Sequence, residues 1–482
     1  MKIIVVGGGT SGWSVAARMS LVKNSEVIVI EPVNIPTIGV GESTIPYINK
    51  FHIQSNLPFY DKQWLNAVDG VFKFGILFDN YYSKDNSWFH PFTNGVLQFN
   101  SFFKDDYSVI QDICFMRDIE LETTQTNFVF NNIKFGKKIL EDGFSELEDS
   151  LIADGFAGYH IDAAKYARLL RTHCLGRKNV SVNNESVSEI ILDETGAVKE
   201  LIMSDGKIIT GDLYIDCTGF SSIFAEKMEN EWISFQDRLF VDTALVAQLP
   251  FIDREKQLRN YTYCHALDAG WCWNIPLQTR VGVGYNFSSR HTTKEEAEKQ
   301  FKEHLHEYYG YDPETITFRT VPYKTGRRKE GWKKNVVFNG LSGFFLEPIE
   351  STAIATLHNL STNLCEILEL RHVTEDKKRE RYNDIFRQSI KSTAEYIELH
   401  YNLTSRDDSP FWRDYKSMPL SKAQREILIE YANETVNFDA HTVKSKTETF
   451  NMFTYVSYFF LFMGAGIMPN CGLKNIQQYL YK

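Results

Sequence analysis

Three glycines at fixed spacing, Gly7-x-Gly9-x-x-Gly12, and an acid 19 residues farther on, Glu31, are the first residues of this chain with a recognisable chemistry. A glycine turn between strand and helix lets backbone amides approach a pyrophosphate, and the helix N-terminus behind it adds partial positive charge. Glu31 is placed to accept hydrogen bonds from the ribose hydroxyls of an adenosine. This pattern predicts a bound dinucleotide and leaves FAD and NAD both open. Farther along, Trp271-x-Trp273-x-Ile275-Pro276 sets two indoles two residues apart. An extended segment turns both to one side, with Cys272 and Asn274 on the other. Such rings wall or gate a space and have no acid–base duty.

The elements that must hold these groups follow from periodicity. Lys2-Ile-Ile-Val-Val-Gly reads as a buried strand, Trp13 to Leu21 as a helix with Ala16 and Ala17 allowing close packing, and Val27 to Ile30 as a second strand ending at Glu31. Between Pro36 and Pro46 a loop bounded by Gly39 and Gly41, with polar Glu42, Ser43 and Thr44, can lie flat against a cofactor. From Ser204 to Phe220 the pattern predicts a hairpin-like strand pair that ends in Asp216-Cys-Thr-Gly219.

Bulk properties bound the rest. With 482 residues, 43% hydrophobic and 24% charged, the chain has the profile of a soluble globular protein of one large fold or two fused modules. A net charge of −10 and a pI near 5.7 argue against a nucleic-acid partner, which needs a clustered basic surface. Seven cysteines without a C-x-x-C pair fit neither a disulfide framework nor a zinc site and point to a reducing cytoplasm. The strand at Lys2 leaves no room for a signal peptide, and the longest apolar run, Tyr458 to Met468, is too short to span a bilayer. No His, Asp and Glu cluster has metal-ligand spacing, so a metal-free site is expected, and His90 in Phe89-His-Pro-Phe92 is given no catalytic part.

Two further stretches carry a family resemblance: Gly326-Arg327 through Gly340 to Glu347-Pro-Ile-Glu350-Ser351-Thr352, and His400-Tyr401 through Arg406-Asp407-Asp408 to Phe411-Trp412-Arg413-Asp414. With the glycine loop, Phe72-Lys73-Phe74 and the paired tryptophans, they run in order from residue 1 to about 415, and the chain resembles the flavin-dependent halogenases of the tryptophan-halogenase type. The resemblance implies an α/β (α+β) fold: an FAD-binding Rossmann-like domain of the aromatic-hydroxylase and monooxygenase type, with an interleaved sheet and a mainly helical substrate region. In this reading residues 1–482 form one unit. FAD-binding parts at about 1–50, 155–225 and 320–365 interleave with substrate-binding parts, and a helical C-terminal region covers about 366–482.

Asp216 and its turn resemble the second flavin-contacting strand of monooxygenase-like enzymes, which selects FAD. Cofactor contacts are implied for Gly7, Gly9, Thr10, Ser11, Gly12, Trp13 and Glu31, and for the strap residues Gly39, Gly41, Glu42, Ser43 and Thr44. Val187, Asp216, Gly340 and Ile354 complete that set. The implied reaction takes reduced FAD from a separate reductase, O2 and a halide, forms hypohalous acid, and halogenates an electron-rich arene, indole-like or phenol-like. The acid must travel through an enclosed passage without loss to water.

Lys73 matches the family's catalytic lysine, either forming a haloamine or hydrogen-bonding the hypohalous acid. Glu350 matches its partner carboxylate, able to accept the ring proton, while Glu347 is assigned a structural role. Halide binding is implied at the amides of Thr352 and Ala353. Many relatives have glycine at the second position, and since a Cβ disfavours positive φ, the alanine puts chloride in doubt and leaves bromide or iodide. Trp271 and Trp273 are the implied gate. Phe102, Phe103, Phe453 and Tyr455 are candidate substrate rings. The alternatives are an FAD-dependent aromatic hydroxylase, which needs no Lys73 with Glu350, and a non-catalytic flavin-binding protein.

Overall fold

A computed structural model describes residues 1–33, 42–59, 62–73, 75–92, 157–433, 452–453, 455–468 and 471–482. The chain divides into two compact units that alternate along the sequence: residues 1–70, 161–237 and 324–391 in one, and 71–160, 238–323 and 392–482 in the other.

The first unit is built on a six-stranded sheet in the order Trp332–Lys333, Val336–Phe338, Leu213–Asp216, Lys2–Val6, Glu26–Ile30, Val180–Asn183. All neighbours are parallel except the first pair. Ile3, Ile4, Val5, Val27 and Val29 are wholly buried, the near-continuous apolar runs that a parallel sheet covered on both faces requires. Register aligns the strand ends: Val6 stands beside Ile30 and Asp216, Ile30 beside Asn183, and Asp216 beside Phe338. The glycine turn, Glu31, the Cys217–Gly219 turn and Gly340 therefore leave the same carboxyl edge.

The expected helix after the turn begins earlier, at Thr10, and ends at Met19, because Gly9 is its N-cap. The expected hairpin ending at Asp216 is corrected. Ile208–Ile209 pairs back with Val198–Met203 across a turn at Gly206 (φ 79°), whereas Leu213–Asp216 enters the parallel sheet beside Lys2–Val6. Gly211 makes the crossing possible, since a Cβ there would stand 2.5 Å from Cγ1 of Ile4.

The second unit centres on a seven-stranded sheet, Arg319–Pro322, Thr243–Leu249, Val281–Phe287, Gly270–Pro276, Thr262–Leu267, Gly75–Asp79, Ser87–Pro91, antiparallel except for the pairing of Thr262–Leu267 with Gly75–Asp79. One face, through Cys272, Val281, Val283, Tyr285 and Phe287, packs on Ala297, Phe301 and Leu305 of the helix Lys294–Tyr309. Strand alternation sends Trp271 and Trp273 to the other face. Among the described residues no helix is long and apolar enough to cross a membrane.

Candidate active site

At the carboxyl edge of the parallel sheet, the glycines are dictated by backbone crowding. Gly7 has φ 117°, and a Cβ on it would collide with the Cys217 carbonyl; one on Gly12 would collide with the Gly7 carbonyl. Gly8, which the spacing pattern passes over, is crowded by a side chain instead, because a Cβ there would strike the arm of Glu31. Glu31 is held at both oxygens: Trp13 Nε1 donates to Oε1 at 3.0 Å and Arg171 Nε to Oε2 at 2.7 Å. Each oxygen keeps a lone pair for a ribose hydroxyl.

The side chains of Thr10 and Ser11 turn into the protein, to the Ala163 carbonyl (3.2 Å) and Cys217 Sγ (3.4 Å). It is their backbone that faces the edge, at the start of a helix whose N-cap Gly9 offers no side-chain cap. Gly340 (φ 65°) closes against Ser11, a Cβ there meeting Oγ at 2.6 Å. An edge of close-packed glycines, uncapped helix amides and a fixed terminal acid fits a dinucleotide such as FAD.

Asp216 is wholly buried and its carboxylate is occupied by its own turn. It accepts from Thr218 N–H (3.0 Å), Thr218 Oγ1 (2.6 Å) and Phe224 N–H (3.3 Å). Burial still raises its carboxyl above the ordinary range. What it does is shape the Cys217–Gly219 turn beside the glycine loop. Val187 begins the strand Val187–Leu192 and packs half-buried against the core under the sheet, and Ile354 is buried in the helix Thr352–Leu368. Of the strap, Thr44 is buried and Ser43 half-buried. Burial lifts the Glu42 carboxyl to about 7. Gly39 and Gly41 lie outside the described residues.

Glu350 closes a 3-10 turn, Pro348–Glu350, and is 1% exposed; Glu347 at its start is also buried. The helix Thr352–Leu368 begins two residues later, with Ser351 as N-cap in the left-handed region (φ 58°, ψ 33°) and no side-chain cap. This corrects the expected strain at Ala353. Ala353 sits in the first helical turn, is not among the residues with positive φ, and has no conformational need for glycine. The positive φ falls on Ser351 instead. The amides of Thr352 and Ala353 are among the first-turn N–H groups that an α-helix leaves without internal partners, where an anion is favoured.

The helix is anchored by His358, whose Nε2 lies 3.1 Å from Ser14 Oγ on the nucleotide helix and whose ring stacks on Phe51 at 3.6 Å. Burial first, then the neighbouring His52, holds that imidazole well below its usual range.

In the second unit, the Trp271 and Trp273 rings lie with centroids 5.8 Å apart, 1% and 8% exposed. Trp273 stands opposite Gly284 in the ladder and its six-membered ring lies over that glycine. Lys73 ends the strand Val71–Lys73 and is wholly buried, with Nζ 4.7 Å from the centre of the Phe92 ring. That strand pairs with Gly158–Ile161, Val71 opposite His160 and Lys73 opposite Gly158.

The family model for tryptophan halogenases matches residues 2–478. The chain belongs to the tryptophan halogenase family. A tryptophan 6-halogenase of Streptomyces albogriseolus, ThaL, is 28% identical over 97% of this chain and 90% of its own length. The tryptophan 7-halogenase RebH of Lentzea aerocolonigenes is 26% identical over 97% and 90%. Among solved structures, the flavin-dependent halogenase Xcc4156 from Xanthomonas campestris superposes with a TM-score of 0.79 at 28% identity, covering 99% of this chain and 91% of that one. The protein is thus a flavin-dependent halogenase, an oxidoreductase with the mixed α/β, Rossmann-like flavin fold.

The remaining candidate rings of the halogenase are scattered. Phe453 is buried and stacked on Tyr396 at 3.7 Å, with Tyr458 edge-on to the same tyrosine, so one face of its ring is already covered. Tyr455 opens the helix Tyr455–Gly464. Phe102 and Phe103 lie outside the described residues. Gly8, Arg171, Gly284 and His160 were not signalled by any motif; each is defined by a contact across strands or between distant segments.

Proposed function

We propose that this halogenase takes reduced FAD from a separate flavin reductase, O2 and a halide, and halogenates an electron-rich arene, indole-like or phenol-like, with Lys73 and Glu350 as its working side chains. The observation that carries the reading is the complete burial of Lys73, a group that proteins rarely bury without a task. FAD, when bound in reduced form, supplies with O2 the oxidising equivalent that converts halide into hypohalous acid.

The nucleotide would be held by the Gly7–Gly12 turn, Glu31 and the Gly340 turn, and the halide by the amides of Thr352 and Ala353. Because Ala353 is helical, the backbone argument against chloride lapses, and chloride, bromide and iodide all enter the test. Lys73 Nζ meets the hypohalous acid, as haloamine or hydrogen-bond donor; both need a nitrogen at a fixed point near the ring carbon. The halogen bonds to that carbon, the hypohalous O–H takes a proton from Nζ and leaves as water, and the ring carbon's proton passes to the Glu350 carboxylate. Trp271 and Trp273, packed ring against ring, exclude water from their face of the sheet. A cytoplasmic setting suits the buried Cys174, Cys217, Cys264, Cys272 and Cys365, none of them in a disulfide.

The test is turnover with FAD, an added reductase, each halide, and a panel of tryptophan, indoles and phenols, read by product mass. Replacement of one ring hydrogen by halogen is the expected result. Gain of oxygen without halogen would instead make the protein a hydroxylase.

A further inference from the structure

Lys73 has a polar neighbour that the reaction as described leaves unused. His160 is wholly buried in the strand paired with that of Lys73. Opposite residues in this antiparallel ladder are Val71 with His160 and Lys73 with Gly158. His160 and Lys73 are therefore diagonal neighbours on one face, and the glycine opposite the lysine places no side chain between them.

His160 Nε2 lies 2.8 Å from Thr262 Oγ1. Thr262 is buried on the strand next to Gly270–Pro276 and, by alternation from the Cys264–Trp273 and Ala266–Trp271 pairs, faces the same side as the two tryptophans. Burial first and the Lys73 charge second hold the ring well below its ordinary range, so it is neutral. A neutral imidazole has one donor and one acceptor nitrogen. Nδ1 has no hydrogen-bond partner among the described residues, so the ring is held through Nε2 and the Thr262 hydroxyl.

We infer that His160 is a positioning residue for Lys73, tying the lysine's strand pair to Thr262 and so fixing where Nζ stands. This rests on the reading of Lys73 as the group that meets hypohalous acid. A reacting group misplaced by about 1 Å loses on the order of 100-fold in rate. The loss should appear as oxidant that escapes, since neither the flavin edge nor the halide amides include His160.

The experiment compares His160→Leu, His160→Gln and Thr262→Val with wild type and Lys73→Met, in the full chain with FAD, reductase, bromide and the arene best brominated by wild type. Two products are measured per flavin oxidised: brominated arene, and brominated monochlorodimedone as a trap for free hypobromous acid. His160→Leu should lower arene product about 100-fold and raise trap product to match. His160→Gln, which can still bond Thr262, should recover about 10-fold of that loss, and Thr262→Val should lose about 10-fold.

Recovery by glutamine at unchanged melting temperature separates positioning from mere packing. Should His160→Leu fail to fold, Thr262→Val, nearly identical in shape to the native residue, decides. A wild-type ratio of the two products in folded His160→Leu or Thr262→Val, with the ratio collapsed in Lys73→Met, overturns this inference alone. A wild-type ratio in Lys73→Met overturns the reading of Lys73 and the inference with it.

Discussion

Adding a single methyl group at Gly284 should show whether the strand opposite the tryptophan motif sets the pose of Trp273. A Cβ at Gly284 would stand 2.6 Å from Trp273 Cε2 and closer still to Cζ2 and Cη2. Carbon atoms rest at about 3.5–4.0 Å, so the indole must withdraw by at least about 1 Å. It has little room to do so, being 8% exposed with the Trp271 ring 5.8 Å away centre to centre. Overpacking of this kind costs about 1–3 kcal/mol. Replacing glycine by alanine in a strand returns roughly 0.5–1 kcal/mol by restricting the unfolded chain. Gly284→Ala should therefore destabilise by about 1–2 kcal/mol, roughly 2–6 °C in melting temperature for a unit of this size. A double-mutant cycle isolates the contact: in a Trp273→Leu background the same substitution should cost nothing or stabilise slightly. Thermal melts of the four proteins are the assay. An equal drop in both backgrounds would refute the claim that Gly284 is reserved for the indole.

Other outcomes follow from single groups. Glu42, raised to about 7 against an ordinary 4.5, keeps in the folded chain a proton that the unfolded chain releases, so stability should fall as pH rises between those values and level off above them. Glu42→Gln should remove about 1–3 kcal/mol of that fall, seen in urea melts at pH 5 and pH 8; an unchanged slope would contradict it. His52, held near 3 by burial, behaves oppositely: its contribution is complete above pH 6.5 and is lost as pH falls, by about 2 kcal/mol at pH 5. A His52→Phe variant should lose that part of the acid slope, and a slope identical to wild type would count against the assignment. At the N-cap of the helix Thr352–Leu368, Ser351→Val should cost about 1–2 kcal/mol at φ 58° and raise the halide KM. Ala353→Gly should destabilise by about 0.5–1 kcal/mol; a stabilised Ala353→Gly protein would mean that the strain lies there after all.

The nucleotide edge was legible because its signals are local. Strand, glycine turn, helix, strand and acid follow one another within the first 31 residues, and Gly12 answers to the carbonyl of Gly7 within the same turn. The tryptophan pair was legible for the same reason, since alternation along one strand needs no partner. Asp216 was placed on the right edge but in a hairpin, because the turn at Gly206 and the crossing at Gly211 look alike in sequence while only the first closes a hairpin. The backbone strain was placed two residues late, at Ala353, because a left-handed serine is invisible until the helix start is fixed at Thr352. Gly284 and His160 were not legible at all. Their meaning depends on register, Trp273 against Gly284 and Val71 against His160, between segments that the sequence does not bring together.

Halogenation of the arene is proposed to depend on the Lys73 nitrogen, as haloamine or as hydrogen-bond donor. Lys73→Met keeps the buried volume and removes the nitrogen, so its ratio of halogenated arene to flavin oxidised is the most direct measurement. This ratio should fall by on the order of 100-fold or more, with flavin oxidation at the wild-type rate and trapped hypohalous acid rising to match. Arene halogenated by Lys73→Met in wild-type yield would contradict it.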